Sequence, residues 1–362
     1  MASFNSSDPG AFAAELIRAS LTGLASASAQ RWTEGVGGDR ADAPGAFGQW
    51  KVALESQLEF LAAALGTRQT EIFVDHVLWS RWACIARDVP EHDLRVALTA
   101  LEEVVRKELP DAPGAQAGDV VATAIAEFDR APAEPPSHLE PGTSNGRFAA
   151  RYLLALLEGS RDAAVEAVDA ARAAGVSIPD IYTTVLQPAL AEIGRLWMLG
   201  DIHVAEEHFA TATTGLVIAR LFCELPRLPS TGKTVITVSV EGDLHELGIR
   251  MVSDFFTMDG WRVIHLGANV PAPDLRQGII DFHADLLAFS VSLPTHFSSA
   301  RSIIELSRSD PKTREVPILI GGRALHRRGD LWRELGADGC ATGAADAVAI
   351  GRSLVGLPPP EE

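Results

Sequence analysis

A hydrophobic run followed by a turn that contains aspartate and histidine constrains the fold of this chain more than any other feature. The run Val235–Val240 has the composition of a buried β-strand, and Asp243, His245 and Gly248 follow it directly. Open α/β sheets bind ligands in the crevice beyond the carboxyl ends of their strands. We therefore expect His245 at a ligand-binding edge, where the Asp243 carboxylate could hold one ring nitrogen and direct the other at a metal. Alone, such a pair more often forms a surface hydrogen bond.

Two further elements follow at defined distances. Gly248 is followed by 41 residues, then by Ser290-Val291-Ser292, then by 28 residues, and then by Gly321-Gly322. The serine and the glycine pair each follow an apolar run that is typical of a strand. Taken singly, these glycines could be ordinary turn residues. The combined spacing favours one binding motif instead.

The spacing resembles the cobalamin-binding module of methionine synthases, acyl-CoA mutases and corrinoid carrier proteins. The resemblance covers residues 233–355 and implies a Rossmann-like parallel-sheet domain. In that family the histidine replaces the cofactor's own benzimidazole as the lower cobalt ligand, and the displaced nucleotide tail enters the sheet. The resemblance therefore implies that His245 is the cobalt ligand, that Asp243 accepts a hydrogen bond from it, and that Ser290 provides a hydroxyl to the tail.

The resemblance also assigns roles to the glycines. Gly248 completes the histidine motif, and Gly321 and Gly322 would let the backbone approach the tail where a Cβ would clash. One position departs from the family, because Ser292 stands where leucine is usual. Since Leu293 follows at once, we interpret the difference as local repacking.

Two proline-rich stretches divide the chain into modules. Residues 131–146 are too rich in proline to continue a helix, and a shorter linker of the same kind precedes Lys233. We expect a helical sensor module at 1–130, a four-helix-bundle cap at 147–225 and the cobalamin-binding domain at 233–355. The predicted fold class is multi-domain α and α/β, with an all-α, globin-like N-terminal module, a four-helix bundle and a Rossmann-like domain.

The middle module has the apolar periodicity of four helices. Capping residues and prolines set their expected bounds, which are Arg147 to Glu158, Asp162 to Gly175 with Ser160 as cap, Pro179 to Trp197 with a kink at Pro188, and Asp201 or Ile202 to about Leu225.

The junction of the last two predicted helices carries a second pattern, in which nine residues separate Trp197 from Glu207-His208. By themselves such residues are typical of a core anchor and a solvated face. Ahead of a cobalamin module, they resemble the light-sensing CarH-type photoreceptors, whose bundle caps the upper face of adenosylcobalamin. That resemblance implies that Trp197 packs on the adenosyl group and that Glu207 and His208 contact it. A histidine follows the tryptophan in those photoreceptors, whereas this chain has Met198, so the upper ligand after illumination stays open between His203, His208 and water.

The N-terminal module has helical periodicity at Phe60–Leu65, Ile72–Arg87 and Glu91–Leu109, and it lacks a basic recognition helix. Its aromatic residues fit either a tryptophan-anchored core or a second chromophore pocket. The order of the modules resembles the photocobilins, which combine cobalamin with biliverdin. That resemblance implies a bilin slot, non-covalent or attached at Cys84. The slot would be formed by Asp75 or His76 at the pyrrole nitrogens, Arg81 or Arg87 at the propionates, and Trp79 and Trp82 as apolar walls.

Composition narrows the class of protein. The formal net charge of −17 and pI near 5.0 disfavour binding to nucleic acid, whose affinity depends on neutralising phosphates. There is no apolar run long enough to span a membrane and no secretory signal pattern, so we expect a cytoplasmic protein. Three cysteines without paired spacing predict neither a disulfide framework nor a zinc site.

Three functions are compatible with these modules. The first is a non-enzymatic light sensor, in which photolysis of adenosylcobalamin changes domain packing and homo-oligomeric assembly, with a separate protein effector as a further option. The second is a corrinoid carrier that binds methylcobalamin and works with a methyltransferase. A radical mutase subunit ranks last, because no segment is left for a substrate barrel. The light sensor is the main prediction and the carrier is the alternative, with the 358–362 tail expected to be a disordered end.

Overall fold

The structure is a computed structural model that describes residues 8–130, 132, 134–326 and 328–359. It divides into two compact units, Met1–Pro136 with Met198–Asp201, and Ser137–Trp197 with Ile202–Glu362. The expected bundle and sheet modules thus fall within one unit. Part of the predicted 131–146 linker and the last three residues of the predicted disordered tail lie outside the described residues.

The first unit is built from helices, as the periodicity of its sequence predicted. Trp32 is buried and donates its ring N–H to the Asp93 carbonyl at 3.1 Å, and its ring lies 5.0 Å from that of Trp50. Phe60–Leu65 belongs to a longer helix than expected. The helices are α1 (Pro9–Ala19), α2 (Leu21–Val36), α3 (Gly38–Ala41), α4 (Ala46–Thr67), α5 (Thr70–Ile85), α6 (Glu91–Glu108) and α7 (Asp111–Glu127).

The second unit begins with the predicted helical bundle. Thr143, Ser160 and Ser177 each accept a backbone N–H at the start of a helix through the side-chain hydroxyl, which satisfies a donor that has no partner inside the helix. The elements are α8 (Ser144–Leu157), α9 (Arg161–Ala173), α10 (Ile178–Ile181), a π-helical segment (Tyr182–Leu186), α11 (Gln187–Met198) and α12 (Val204–Phe222).

Two details of the bundle differ from the predicted helices. A π-helical turn lies where a kink at Pro188 was expected, and it ends with the Gln187 N–H bonded to the Tyr182 carbonyl. Pro188 has no N–H to donate and therefore interrupts the ladder of backbone hydrogen bonds in the helix. The wider π-helical turn before it accommodates this interruption. Helix α12 begins later than expected, since the His203 N–H donates to Glu206 at 2.7 Å and so fixes the start of the helix.

A five-stranded parallel sheet forms the rest of this unit, in the order β2-β1-β3-β4-β5. The three central strands, β1, β3 and β4, are buried along almost their whole length, as expected for a parallel sheet covered on both faces. The predicted fold class is confirmed. The strands are β1 (Thr234–Ser239), β2 (Arg262–His265), β3 (Leu286–Ser290), β4 (Ile318–Gly321) and β5 (Gly339–Ala341), and the helices are α13 (Leu247–Met258), α14 (Ala272–Asp281), α15 (Phe297–Ser309), α16 (Leu331–Leu335) and α17 (Ala344–Leu354).

Helix α13 joins the bundle to the sheet. Met251 is buried in the bundle core, and Leu247 and Phe255 pack against the same core. A polar contact crosses this interface, where the buried Tyr182 hydroxyl donates to the buried Asp254 carboxylate at 2.6 Å. Burial raises the pKa of Asp254 to about 6, although the Tyr182 hydrogen bond and two nearby arginine charges oppose the shift.

The Asp254 carboxyl should make the stability of this interface depend on pH. Its pKa rises from 3.8 to about 6 on folding, so its contribution is fully present below 3.8 and is lost as the pH rises through about 6. We expect the thermal midpoint of the native chain, relative to that of Asp254→Asn, to fall across this window. Calorimetry at a series of pH values measures the difference. A difference that stays constant with pH would contradict the assignment.

The tyrosine hydroxyl should stabilise the same contact. Tyr182→Phe keeps the ring but leaves the Asp254 carboxylate buried without its donor, so we expect a loss of about 1–3 kcal/mol at neutral pH. Urea unfolding measures the loss. Tyr152→Phe is a matched control, because the Tyr152 hydroxyl is paired with Thr214 and leaves no carboxylate unpaired. An equal loss of unfolding free energy in the two variants would show that the unpaired carboxylate adds nothing to the cost of removing the hydroxyl.

Candidate functional site

The strand ends form one row of small residues at the carboxyl edge of the sheet. Ser239 pairs with Ser290, Ser290 with Gly321, and Gly321 with Ala341. The Thr237 hydroxyl lies 2.6 Å from that of Ser253 on α13. Because side chains alternate along a strand, Ser239 faces the same side as Thr237, and the row therefore faces α13.

The loop between β1 and α13 carries the predicted histidine at this edge. His245 Nδ1 lies 2.8 Å from Asp243 Oδ1, and the same oxygen accepts the backbone N–H of His245 at 3.0 Å. The Asp243 side chain is fully buried, whereas that of His245 is 65% exposed. Since the carboxylate holds Nδ1, Nε2 is the ring nitrogen that could bind a metal.

The carboxylate is anchored from a second strand end. The backbone N–H of Ser292 donates to Asp243 Oδ2 at 2.7 Å. This contact uses the backbone and not the side chain, so serine in place of leucine at this position leaves it intact. Burial opposes ionisation of Asp243, but hydrogen bonds from His245 and from the Ser292 backbone hold the pKa of the carboxyl well below its usual range.

The charge of Asp243 acts in turn on the histidine. The hydrogen bond that His245 donates to Asp243 raises the pKa of His245, burial opposes this shift, and the charges of Asp243 and Glu207 add to it. Glu207 on α12 is therefore close enough to the loop to influence it electrostatically. The structure thus brings one of the three predicted bundle residues into the electrostatic surroundings of the candidate cobalt ligand.

The three predicted glycines have different surroundings. Gly322 has a φ of +105°, and a Cβ at this position would lie 2.4 Å from the Val291 carbonyl oxygen. The protein's own backbone therefore excludes a side chain here, whether or not a ligand is bound. A Cβ on Gly321 would lie 3.0 Å from the Ala341 oxygen. On Gly248 a Cβ would meet nothing within 4 Å. The fold therefore requires glycine at 322 and leaves 248 unexplained.

The residues of this edge fit a corrin cofactor. Because a corrin ring carries its own cobalt, one histidine would be enough as the protein's ligand to the metal. Within the described ranges there is no group of three or more His, Cys, Asp or Glu residues that could hold a metal ion, so a site built only from protein ligands is not found there. The small residues of the row are the type that a nucleotide tail running along this edge would require, because larger side chains would intrude.

The predicted cap residues lie on the bundle. Trp197 is near the end of α11 with a side chain that is 37% exposed. Glu207 and His208 lie in the first two turns of α12, where Glu207 Oε2 and His208 Nδ1 are 2.6 Å apart. The His208 side chain is 75% exposed, and His203 is exposed at the start of α12. Met198 is buried.

The predicted bilin residues make contacts within the first unit. The His76 ring is buried and stacks on Phe60 with centroids 3.7 Å apart and on Trp79 at 5.9 Å, and burial lowers the pKa of His76 to about 3. Asp75 is exposed, and Trp82 donates its ring N–H to the Pro132 carbonyl at 2.9 Å.

The cations proposed for a bilin are also engaged. Arg81 pairs with Glu91 at 3.2 Å and donates to the Phe128 carbonyl, and Arg87 donates to the Ala83 carbonyl at 2.9 Å. Burial raises the pKa of the Cys84 thiol to about 11, which disfavours the thiolate needed for covalent attachment.

Three site residues escaped the sequence analysis. Ser239 donates its hydroxyl to the His245 carbonyl at 2.9 Å, and Asn269 accepts the Gly242 N–H at 2.8 Å. His296 places Nδ1 3.9 Å from Asp243 Oδ2, beyond hydrogen-bonding distance, and this buried nitrogen has no hydrogen-bond partner among the residues that the structure describes. The only sequence signal for them is their place just within or beyond strand ends.

Comparison with known proteins agrees with the geometry of the sheet edge. Residues 233–350 match a family model described as B12 binding domain, and residues 149–221 match a second model with the same description. A corrinoid protein of Desulfitobacterium hafniense is 26% identical over 208 residues, which are 56% of this chain and 94% of that relative. Dimethylamine corrinoid protein 2 of Methanosarcina acetivorans is 24% identical over 204 residues, 56% of this chain and 93% of the relative.

A solved structure has the same fold. The monomethylamine corrinoid protein of Methanosarcina barkeri superimposes with a TM-score of 0.52 at 22% identity, over 58% of this chain and 100% of that protein.

In the part of the chain that the structure describes, no helix combines the length and hydropathy that a bilayer span requires.

The light-sensor prediction is wrong, and the relatives favour the carrier alternative. They are corrinoid proteins that this chain matches over nearly their whole length. The prediction of a protein that is not itself an enzyme agrees with them. The pattern of Trp197 with Glu207-His208 did not distinguish a light sensor from a carrier. An aromatic residue and a polar pair at one end of a bundle are compatible with a lid over the cofactor in either kind of protein. The bundle at 149–221 and the sheet domain at 233–350 both match models described as B12 binding domain, and these matches support a cobalamin-binding family for this part of the chain.

Proposed function

We propose that this protein is a corrinoid carrier that holds cobalamin for methyl transfer by a separate methyltransferase. The observation that carries the proposal is the exposed His245 imidazole, fixed by the buried Asp243 at the carboxyl edge of the sheet. The similarity to dimethylamine corrinoid protein 2 supports a methylamine as the methyl source. Cobalamin, when bound, supplies a cobalt that takes up a methyl group from one substrate and releases it to another.

The residues of the sheet edge bind and orient the cofactor in this proposal. His245 Nε2 would be the nitrogen that holds the cobalt, and Asp243 fixes the tautomer by holding Nδ1. The Ser290 hydroxyl lies 3.0 Å from that of Ser239 and beside Gly321, and it would contact the nucleotide tail. Ser292 acts through its backbone N–H, which keeps the Asp243 carboxylate in place.

The bundle residues form the upper side of the site in this proposal. Trp197, Glu207 and His208 are partly or largely exposed, and they would be covered by the cofactor or by the methyltransferase. Glu207 would then orient the His208 imidazole toward the cofactor. We therefore assign these residues to the upper face without assigning an adenosyl group to it.

We leave biliverdin, homo-oligomerisation and light-dependent assembly out of the proposed function. The relatives are corrinoid proteins, which gives none of these three support. Arg81 and Arg87, the cations expected at the bilin propionates, are bonded within their own unit. A separate protein partner stays in the proposal as the methyltransferase.

The proposal is tested by repeated methylation of the full-length protein. The chain is loaded with methylcobalamin, passed through gel filtration, demethylated by reduction and remethylated with iodomethane. A carrier should retain its cobalamin with the base displaced by histidine and should complete several cycles. Failure to retain methylcobalamin, or loss of the cofactor during one cycle, would overturn the proposal. Free methylcobalamin that is treated in the same way controls for the chemistry of the cofactor alone.

A further inference from the structure

We propose that Asn269 is a positioning residue that fixes the loop carrying the cobalt ligand. The proposal rests on the proposed cobalamin site, since its effect is expressed through His245. Asn269 lies in the loop after β2, outside the Asp-x-His-x-x-Gly, Ser-x-x and Gly-Gly elements. Its side-chain oxygen Oδ1 accepts the backbone N–H of Gly242, at a distance of 2.8 Å.

Strand pairing brings the two loops together. Thr237 of β1 pairs with His265 of β2, so the segments that follow both strands leave the sheet at the same edge. The pairing continues past the strands, because the Ser239 N–H donates to the Gly267 carbonyl at 2.9 Å. Asn269 follows two residues later and reaches across to the turn at Gly242.

Both partners have unusual backbone conformations. Gly242 has a φ of +88° and Asn269 a φ of +58°, which is the left-handed region that L residues rarely adopt. Asparagine is among the residues that tolerate this region, and its side chain also supplies the oxygen that accepts the Gly242 N–H. Asparagine at 269 therefore meets both the conformational and the hydrogen-bonding requirement. Gly242 immediately precedes Asp243, and a fixed Gly242 N–H therefore limits where the carboxylate can lie.

A second contact holds the other end of the loop. The Ser239 hydroxyl donates to the His245 carbonyl at 2.9 Å and also lies 3.0 Å from the Ser290 hydroxyl. Changing Ser239 would therefore disturb the expected tail site as well. Asn269 is exposed, and its contact with Gly242 involves no residue of the proposed tail site, so it offers the cleaner test.

Two variants separate the acceptor from the backbone conformation. Asn269→Gly keeps easy access to the left-handed region and removes the acceptor, whereas Asn269→Asp keeps an acceptor oxygen in a side chain of the same shape. Full-length proteins with ¹⁵N-labelled histidine are loaded with cob(II)alamin. The electron paramagnetic resonance spectrum then reports whether a histidine nitrogen or the cofactor's own base ligates the metal. Moderate ionic strength screens the added charge of the aspartate.

We expect the native chain and Asn269→Asp to show the histidine signal. Asn269→Gly should show a smaller histidine-ligated fraction and bind hydroxocobalamin about threefold to tenfold more weakly, as expected for one lost hydrogen bond. A native histidine-ligated fraction in Asn269→Gly, or an equal loss in Asn269→Asp, would overturn the role of Asn269. Absence of the histidine signal from the native chain would instead overturn the cobalamin site itself.

Discussion

Replacing His245 by alanine is expected to abolish histidine ligation of cobalt. The imidazole is the one side chain of this loop that combines exposure with a carboxylate on its other nitrogen. Loss of such a ligand should weaken cobalamin affinity by at least about tenfold to a hundredfold, the range found for residues that merely support a metal ligand. The cofactor that still binds should keep its own base on the cobalt. Equilibrium titration and the visible spectrum of the full chain measure both effects.

A histidine at the opposite edge of the sheet provides the control. His283 is exposed between α14 and β3 and has a φ of +52°, so asparagine is the substitution that its backbone tolerates. His283→Asn should leave cobalamin affinity and the spectrum unchanged. If His245→Ala bound hydroxocobalamin as tightly as His283→Asn and with the same histidine-ligated spectrum, the lower ligand would have to be another residue.

The sheet domain was predictable because its ligand edge follows from chain order. Parallel strands end at one edge, so residues that follow successive apolar runs come together whatever separates them in sequence. Asp243, Ser290 and Gly321 were placed in this way, and the structure aligns the last two in a single row. Asp243 and His245 could be paired from spacing alone, since two positions along an extended loop allow one side chain to reach the other.

Contacts between loops were not predictable in the same way. Asn269 meets Gly242, and the Ser292 backbone meets Asp243, through turns whose shape depends on left-handed residues and on the registry of neighbouring strands. Neither contact has a periodicity that a sequence displays. The π-helical turn before Pro188 was likewise predicted only as a kink, because proline signals a break in the ladder without specifying how the chain closes it.

The bundle shows why function was harder to predict than fold. Trp197, Glu207 and His208 were correctly expected at the end of one helix and the start of the next. What they do depends on the group above the cobalt, and that group is a property of the cofactor and the partner protein. The same exposed imidazole and carboxylate can face an adenosyl group or a methyltransferase. The position of such residues is compatible with a lid in either class of protein, so it could not distinguish a light sensor from a carrier.

The glycines of the motif should separate stability from cofactor binding. Gly322→Ala places a Cβ 2.4 Å from the Val291 oxygen and 2.7 Å from its nitrogen, at a φ of +105°. We expect a loss of at least about 2 kcal/mol in the free energy of unfolding, because a backbone with φ 105° and ψ 166° is essentially restricted to glycine and costs other residues about 1–3 kcal/mol, and the Val291 backbone must also move. Gly343→Ala is the matched control, since its Cβ meets nothing within 4 Å on extended backbone. Urea unfolding without cobalamin measures both variants.

Gly248→Ala should have the opposite effect. Gly248 lies in the first turn of α13, and a Cβ there meets no protein atom within 4 Å, so alanine should leave stability unchanged or raise it by up to about 1 kcal/mol. If the corrin lies against this turn, as the spacing from His245 implies, the added methyl group should weaken hydroxocobalamin binding by about tenfold or more while the apoprotein stays as stable as the native chain. Isothermal titration on the full chain measures the affinity. Native affinity in Gly248→Ala would mean that the cofactor does not approach this turn, and glycine at 248 would then serve neither the fold nor the ligand.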